Sequence, residues 1–319
     1  MCYVKMKLNG SVFIMEKEKI KLLEDLMWLR NKFNFDFVFE HNTFSQKDIK
    51  RYYKKTKYLL YRMVSKDGYM HIGITEDGKC ENWNKYQTYQ LDRINELIKQ
   101  TNATNILELG CGQGANMTYL AKQNVHASFT GIDLYPSLDK KNRKYNINLI
   151  EGDYHNLEKI ESHSVDLVYA IETLCYSTNK NLIFKEVNRI LKKGGLFIIF
   201  DAYLAKERDS LSEIELIGAK LIENGYYLNE FEYLGNLDKY IHDNNFSVIK
   251  AENMKKKVIN HLIRYQEQIK KYFRFGFLFK LACKLVPKEV TGNIVPIYFM
   301  ADTVNMDLSV YCWHILKKK

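Results

Sequence analysis

An α/β fold with a parallel sheet is predicted by residues 104–201, where short apolar runs alternate with helical segments. The runs of strand length are NILELG, ASFTGIDL, INLIEGD, VDLVYAIE and LFIIFD. The segment NLIFKEVNRILKKGG has the apolar spacing of a helix, which we expect to stop at Gly194 and Gly195. FSVIKAE and LSVYCWHILK, nearer the end of the chain, are candidates for the closing strands.

The segments on either side of this zone are expected to be mainly helical. Near the N-terminus, apolar residues recur at helical spacing, at Leu22, Leu23, Leu26, Leu29 and Phe33. SQKD at 45–48 resembles a capping box before a helix. Further along, one apolar stripe of a helix is formed by Val258, Leu262, Tyr265, Ile269 and Tyr272. Only 3 prolines occur in 319 residues, which favours one domain with helical additions over two domains joined by a linker.

The composition predicts a cytoplasmic protein. No apolar stretch approaches the roughly 18–20 residues of a membrane-spanning helix, and the early run SVFIM is too short for a signal peptide. The 6 cysteines are scattered without the spacing of metal ligands. We therefore expect buried thiols in a reducing compartment and no metal site.

The stretch NILELGCGQGAN, residues 105–116, is typical of a strand that enters a ligand-binding turn. Gly110, Gly112 and Gly114 would follow the carboxyl end of the strand, where parallel sheets bind their ligands. Glycines allow a tight turn and a close approach of the backbone, and the next helix would offer N–H groups to an anion. With Ala115 the turn also fits the dinucleotide pattern G-x-G-x-x-G/A, so a nicotinamide cofactor and other adenosine-bearing ligands both stay open.

Two aspartates at successive strand ends favour a nucleotide-containing ligand. Asp133 lies 23 residues after Gly110, where a carboxylate can accept hydrogen bonds from both ribose hydroxyls. Asp153 ends the third strand and is followed by Tyr154, whose ring offers a flat face to adenine. His155 is expected on the same adenine side.

In this order and spacing, ILELGCGQGA, FTGIDLYPS, LIEGDYHNL, VDLVYAIETLCY and EVNRILKKGGLFIIFD resemble the class I S-adenosylmethionine-dependent methyltransferases. The resemblance covers about residues 85–201. It implies a doubly wound, Rossmann-like sheet of seven strands in the order 3-2-1-4-5-7-6, with the last strand antiparallel, and S-adenosylmethionine as the cofactor. Glu108, two residues before the first glycine, favours this family over dehydrogenases, which commonly have an apolar residue there.

The same resemblance implies which residues contact the cofactor. The turn would lie near the methionine moiety, the acid of the second strand on the ribose, and the acid of the third strand at the adenine. The expected contacts are Glu108, Gly110, Cys111, Gly112, Gly114, Asp133, Leu134, Asp153, Tyr154 and Ile171. Because this family often has a small residue at the second position of the turn, we interpret Cys111 as packing and not as a reactive thiol.

A second resemblance concerns the acceptor. YYKKTKYLLYRM with GYMHIGITEDGK, and IETLCYST after the fourth strand, resemble small-molecule methyltransferases of the sterol, tocopherol and natural-product group. By this resemblance, residues 1–84 form a helical N-terminal lid and residues 85–319 the methyltransferase domain, with its core at 104–201 and a helical lid insertion at about 256–290. The acceptor would be small and hydrophobic or lipid-like, and its accepting atom stays open.

Four residues are candidates for the acceptor pocket. Methyl transfer from a sulfonium is an in-line displacement, so the protein mainly aligns the reactants, and an acceptor that loses a proton needs a base. Glu172 is the leading candidate to act as that base or to orient the acceptor; alternatively it caps the next helix or bonds the lid. His71 would contact the substrate or pin the lid, and Tyr53 and Tyr176 would form the pocket wall.

The net charge of +10 is concentrated in residues 251–288. Three interpretations of this basic segment stay open: peripheral contact with an anionic membrane through residues 255–285, nucleic-acid binding, or a helix packed on the pocket with a solvated basic face. Nucleic-acid methylation is disfavoured because the sequence has no Asn/Asp-Pro-Pro-Tyr tetrapeptide. A small-molecule methyltransferase is therefore favoured, while an NAD-dependent oxidoreductase and a non-catalytic S-adenosylmethionine-binding protein remain alternatives.

Overall fold

The structure is a computed structural model that describes residues 3–8, 11–32, 43–64, 67–76, 86–273, 285 and 287–319. Its strands are β1 Tyr3–Leu8, β2 Ser11–Glu16, β3 Asn105–Leu109, β4 Ser128–Asp133, β5 Ile147–Glu151, β6 Val165–Ile171, β7 Leu191–Leu204, β8 Phe246–Asn253 and β9 Ser309–Lys318. Its α-helices are α1 Lys17–Lys32, α2 Gln46–Val64, α3 Tyr89–Thr101, α4 Ala115–Gln123, α5 Lys180–Ile190, α6 Glu213–Tyr226, α7 Asn236–Asp243, α8 Lys255–Phe273, α9 Lys288–Gly292 and α10 Ile294–Asn305. Short 3-10 turns lie at Lys140–Asn142, Leu174–Tyr176 and Arg208–Ser210.

Seven strands form one mixed sheet in the order β5-β4-β3-β6-β7-β9-β8. Strands β3 to β7 run parallel, and β9 pairs antiparallel with both β7 and β8. Counted from β3 as the first strand, the order is 3-2-1-4-5-7-6, so the predicted Rossmann-like topology and both closing strands are confirmed. The parallel arrangement brings the carboxyl ends of β3, β4, β5 and β6 to one edge of the sheet.

Helices cover both faces of this sheet. Successive residues of a strand point to opposite faces, so Tyr169 joins one apolar cluster while Val168 joins the other. The first cluster receives side chains from α3, α4 and α8, and the second from α5 and α7. Burial on both sides explains why the central strands are nearly continuous apolar runs instead of alternating ones.

Helix α5 ends four residues earlier than the glycines predicted. Its last residue is Ile190, and Leu191 is already extended, pairs with Val165 and has no exposed surface. Burial of the Leu191 side chain between strand and helix therefore sets the end of α5. Gly194, at φ +77°, lies in an irregularity of β7, between the register positions of Leu191 and Leu196.

The N-terminal segment is not wholly helical as expected, because β1 and β2 form an antiparallel pair ahead of α1. The sequence has Asn9 and Gly10 between two alternating runs, which is a strong hairpin signal that the helical interpretation overlooked. The expected capping box is present at α2, where the Asp48 N–H donates to Ser45 Oγ at 3.3 Å and the Ser45 N–H donates to Asp48 Oδ2 at 3.0 Å. The division of the chain at residue 84 stays a prediction.

Helix α8 belongs to the basic segment and packs on the sheet. Val258, His261, Leu262 and Gln266 are almost fully buried along one side, while Lys271 is exposed. Residues 274–284, which the predicted insertion and the predicted membrane segment include, lie outside the described residues. Within the described ranges, no helix combines the length and the apolar character needed to cross a membrane.

Helix α6, which walls the site described below, provides a test of this fold. Ser212 and Glu215 form its capping box, with the Ser212 N–H donating to Glu215 Oε2 at 2.9 Å. We expect Ser212→Ala to lower the free energy of unfolding by about 1 kcal/mol, measured by urea denaturation at pH 7. Ser210→Ala removes a hydroxyl that caps no α-helix and should change stability by less than about 0.5 kcal/mol. Equal losses in the two variants would contradict the role of the cap.

Candidate active site

A cavity of about 320 Å³ opens at the carboxyl edge of the parallel strands. Every residue predicted for the site lines it except Glu108 and Gly114. The structure therefore brings together residues that the sequence spreads between positions 53 and 176. One end of the cavity is formed by the glycine turn with Asp133 and Asp153, and the other by tyrosines and apolar side chains.

The glycine turn depends on its lack of side chains. Gly110, Gly112 and Gly114 have φ values of 71°, 51° and 66°, in the left-handed region that favours glycine. A Cβ on Gly110 would lie 2.0 Å from Thr173 Oγ1, so the turn also needs glycine to pass the end of β6. Burial keeps the pKa of the Cys111 thiol well above its usual range, which agrees with a packing role for that residue.

Asp133 holds the turn from the end of β4. Its Oδ2 accepts the N–H of Gly112 at 2.9 Å, and its Oδ1 accepts the N–H of Tyr135 at 2.8 Å. A carboxylate can accept about four hydrogen bonds in all. The ribose hydroxyls of a nucleotide can therefore share an acid that the protein has already oriented.

Asp153, after β5, is held by both the sheet and α2. Its Oδ1 contacts His155 Nδ1 at 2.6 Å, and its Oδ2 accepts a hydrogen bond from Gln46 at the start of α2. Burial alone would raise the pKa of Asp153, but the hydrogen bonds from His155 and Gln46 lower it to about 2. His155 Nε2 in turn lies 2.7 Å from Ser177 Oγ, which fixes the imidazole beside Tyr154.

Glu108 lies beneath the turn and is only 1% exposed. Asn116 Nδ2 donates to its Oε1 at 2.8 Å, and the Tyr169 hydroxyl donates to its Oε2 at 3.1 Å. Burial raises the pKa of Glu108 to about 8. The amide of Asn116 continues the chain, because its Oδ1 lies 3.3 Å from Nε2 of His71. Burial lowers the pKa of His71 to about 4, so the imidazole is neutral at pH 7. The ring lines the cavity, and its contact with Asn116 holds the loop 67–76 to α4.

Glu172 lies where the two ends of the cavity meet. Its backbone is left-handed, with φ 50°, and its Oε1 accepts hydrogen bonds from the Ile72 N–H and the Tyr311 hydroxyl, each at 2.8 Å. Both partners are remote in sequence, so Glu172 bonds the loop 67–76 and lines the cavity instead of capping the next turn. Burial raises the pKa of Glu172 to about 8, and the negative charge of Asp201 acts in the same direction.

Two aromatic rings line the cavity together with this carboxyl. Tyr53 of α2 meets Tyr176 edge-on, with ring centroids 5.6 Å apart, and the Tyr176 hydroxyl donates to the Tyr226 carbonyl at 3.2 Å. We call the space beyond them the acceptor chamber. Its apolar walls come from α6, α8, α10 and the chain after α6, with Ile222, Leu228, Phe231, Val258, Leu262 and Met300.

Several polar residues that line the cavity were missed by the sequence analysis, among them Gln46, Asn116, Asp201 and Tyr311. Tyr311 was inside a predicted strand, but its approach to Glu172 depends on β9 pairing antiparallel with β7, where it lies opposite Ala202. Gln46 stood in the predicted capping box of α2, and nothing in the sequence relates it to Asp153 across 107 residues.

Comparison with known proteins agrees with this geometry. Residues 107–199 match the family model described as "Methyltransferase domain". Residues 107–199 therefore carry a methyltransferase domain, and the sheet around them has the topology of the class I S-adenosylmethionine-dependent enzymes. The cofactor of this domain is S-adenosylmethionine.

Two curated relatives are methyltransferases. The chain is 24% identical over 196 residues to the sarcosine/dimethylglycine N-methyltransferase of Aphanothece halophytica, covering 57% of this chain and 66% of that protein. It is 28% identical over 124 residues to the sterol 4-C-methyltransferase strm-1 of Caenorhabditis elegans, covering 36% of each. The chain thus spans less than two thirds of the length of either relative.

Solved structures show the same fold over most of the chain. A putative sarcosine dimethylglycine methyltransferase from Galdieria sulphuraria superposes with a TM-score of 0.66 at 15% identity, covering 84% of this chain and 98% of that one. The [4+2]-cyclase SpnF superposes with a TM-score of 0.64 at 16% identity, covering 86% and 97%. Because the second of these proteins is named as a cyclase, the fold alone does not determine the reaction.

Gly110→Ala tests the cofactor cradle. The added methyl group would overlap Thr173 and deform the turn, so we expect binding of S-adenosylmethionine to weaken by about 100-fold or more in calorimetric titration. Gly194→Ala is the matched control: Gly194 also has a positive φ, of 77°, but a Cβ there approaches Lys317 Cε no closer than 3.5 Å. That variant should bind within about twofold of wild type, since it lies away from the cavity. Similar weakening in both would mean that backbone strain, and not the cradle, explains the loss.

Proposed function

We propose that this protein transfers the methyl group of S-adenosylmethionine to a small, hydrophobic or lipid-like acceptor. The observation that carries the proposal is the single cavity that joins the glycine turn to the acceptor chamber, with Glu172 at the junction. A relative named as a sterol methyltransferase supports an apolar acceptor. Pockets for small molecules are typically apolar with a few placed polar groups, which is the composition found here.

At the cofactor end, the roles of the residues follow from their contacts. Gly110 and Gly112, which lack side chains, would let the methionine part lie close to the backbone of the turn. Asp133 would accept the ribose hydroxyls, and Asp153 with Tyr154 would lie beside the adenine. When bound, S-adenosylmethionine supplies a methyl group on a positively charged sulfur. Glu108 and the first turn of α4 support the cradle from below.

At the acceptor end, Glu172 would take the proton that a hydroxyl or amine loses as it accepts the methyl group. Its pKa of about 8 lets it exchange a proton near neutral pH. The hydrogen bonds from Ile72 and Tyr311 fix the carboxyl, so little reorientation is needed during the reaction. Tyr53 and Tyr176 would exclude water.

Two further expectations from the sequence, the membrane contact and the cellular location, are not supported by any contact described above. Peripheral membrane contact through residues 255–285 stays a prediction, as does a cytoplasmic location. In the described part of that segment, α8 packs against the chamber with Val258 and Leu262. Packing of this kind agrees with the interpretation of a helix that covers the pocket and exposes its basic face.

Binding and turnover together test the proposal. Calorimetric titration should show binding of S-adenosylmethionine and of its demethylated product, S-adenosylhomocysteine, but not of NAD. Radiolabelled methyl groups should then appear in the organic fraction of a cell extract treated with the protein. Binding of NAD alone would favour the oxidoreductase, and binding of S-adenosylmethionine without any labelled product would favour a non-catalytic role.

Glu172→Gln tests the base. Wild-type activity should rise with pH through about 8, as Glu172 ionises, and the variant should lose about 100-fold at pH 9 together with this pH-dependent rise. The pKa of Glu172 is raised on folding, so its contribution to stability is full below about 4.5 and is lost as pH rises through about 8. The variant, which is neutral at every pH, should therefore gain stability relative to wild type between pH 5 and pH 9. An unchanged pH profile of activity would exclude Glu172 as the base.

A further inference from the structure

The charged groups of the cavity all have the same sign. Among the described residues that line it, the formally charged side chains are Asp133, Asp153, Glu172 and Asp201. The first two face the cofactor end. Glu172 lies at the junction with the acceptor chamber, and Asp201 is close enough to interact with it electrostatically. A substrate must place the atom that receives the methyl group near this junction.

The titratable neighbours of Glu172 come from several elements of the fold. The titratable groups that interact with it electrostatically are Cys175 after β6, Asp201 of β7, Tyr226 of α6 and Tyr311 of β9. Each of these groups is either neutral or negative. Burial raises the pKa values of Tyr226 and Tyr311 well above the usual range, so both hydroxyls stay protonated. The buried cation Lys180 of α5 does not line the cavity, but it offsets part of the negative charge of Asp201. The potential at this end of the cavity therefore becomes negative through the ionisation of Glu172 itself.

Hydrogen bonding points the same way as charge. Both donors to Glu172, the Ile72 N–H and the Tyr311 hydroxyl, go to the same oxygen, Oε1. Oε2 accepts no hydrogen bond from a described residue, and it is not among the fully buried polar atoms that lack a partner. It is therefore accessible from the cavity and can accept one hydrogen bond from a bound molecule.

From this arrangement we propose that the acceptor has an apolar body and a head that donates a hydrogen bond and bears no negative charge, namely a hydroxyl or an amine. This inference rests on the proposed function and narrows its substrate class. Once Glu172 is ionised, a carboxylate or phosphate head offers only acceptor atoms and negative charge to Glu172 and Asp201, and such a pairing is repulsive in a buried site. The apolar body would lie against Leu262, Val258 and Met300.

A matched series of ligands tests the head group: 1-decanol, decylamine and decanoate have the same ten-carbon chain. Calorimetric titrations at pH 9, where Glu172 is mostly ionised, should give binding of decanol and decylamine and about 100-fold weaker binding of decanoate. The titrations are done with and without S-adenosylhomocysteine. If the protein fails to bind S-adenosylhomocysteine, the proposed function is wrong, but the titrations without it still rank the affinities of the three ligands.

Two variants test whether Glu172 causes the difference in affinity between decanol and decanoate. Glu172→Gln should reduce the difference between decanol and decanoate to less than about tenfold, because the amide carries no charge. Glu158→Gln removes an exposed acid outside the cavity and should leave the difference unchanged. Circular dichroism and binding of S-adenosylhomocysteine check that both variants are folded.

Three results would overturn the inference. Decanoate could bind wild type as tightly as decanol, which would show that the acidic end tolerates an anion. All three ligands could fail to bind, which would show that the chamber does not take an apolar chain with such a head. The difference could also persist in Glu172→Gln, which would place the discrimination elsewhere.

Discussion

The two hydrogen bonds that converge on Glu172 Oε1 join three parts of the chain that are distant in sequence. They connect the end of β6 with the loop 67–76 through Ile72 and with the closing strand β9 through Tyr311. The residue adopts a left-handed backbone to do so, which is uncommon outside glycine and asparagine. The boundary between the cofactor end and the acceptor chamber depends on this carboxyl, and so do the shape of the site and its electrostatic character.

Parallel pairing explains why the cofactor end could be predicted from the sequence. When strands run in the same direction, the residues that follow them meet at one edge, so Gly110, Asp133 and Asp153 had to lie close together once the alternation of strands and helices was recognised. The positions of the two aspartates could be predicted without knowledge of the packing, because each directly ends or follows a strand. The same reasoning placed Glu172 at the edge but not its partners.

The acceptor chamber could not be predicted in this way, because its walls come from segments without a repeating relation to the sheet. Tyr311 depends on the register of an antiparallel strand, and Gln46 on the docking of α2 across the end of β5. The end of α5 shows a related limit: two glycines predicted its stop, but the burial of Leu191 decided it. Local signals identified elements, whereas long-range packing determined where they end and what they touch.

Helix α2 contacts both halves of the site. Gln46 in its first turn bonds Asp153, beside which we propose the adenine to lie, and about two turns later Tyr53 packs on Tyr176 next to the acceptor chamber. Because one helix contacts both ends of the cavity, we expect a movement of α2 that exposes one end to solvent to expose the other as well. Under the proposed function, S-adenosylhomocysteine and the methylated product would then leave during the same opening of the site. The slower of these two releases would determine how long the site stays open in each catalytic cycle.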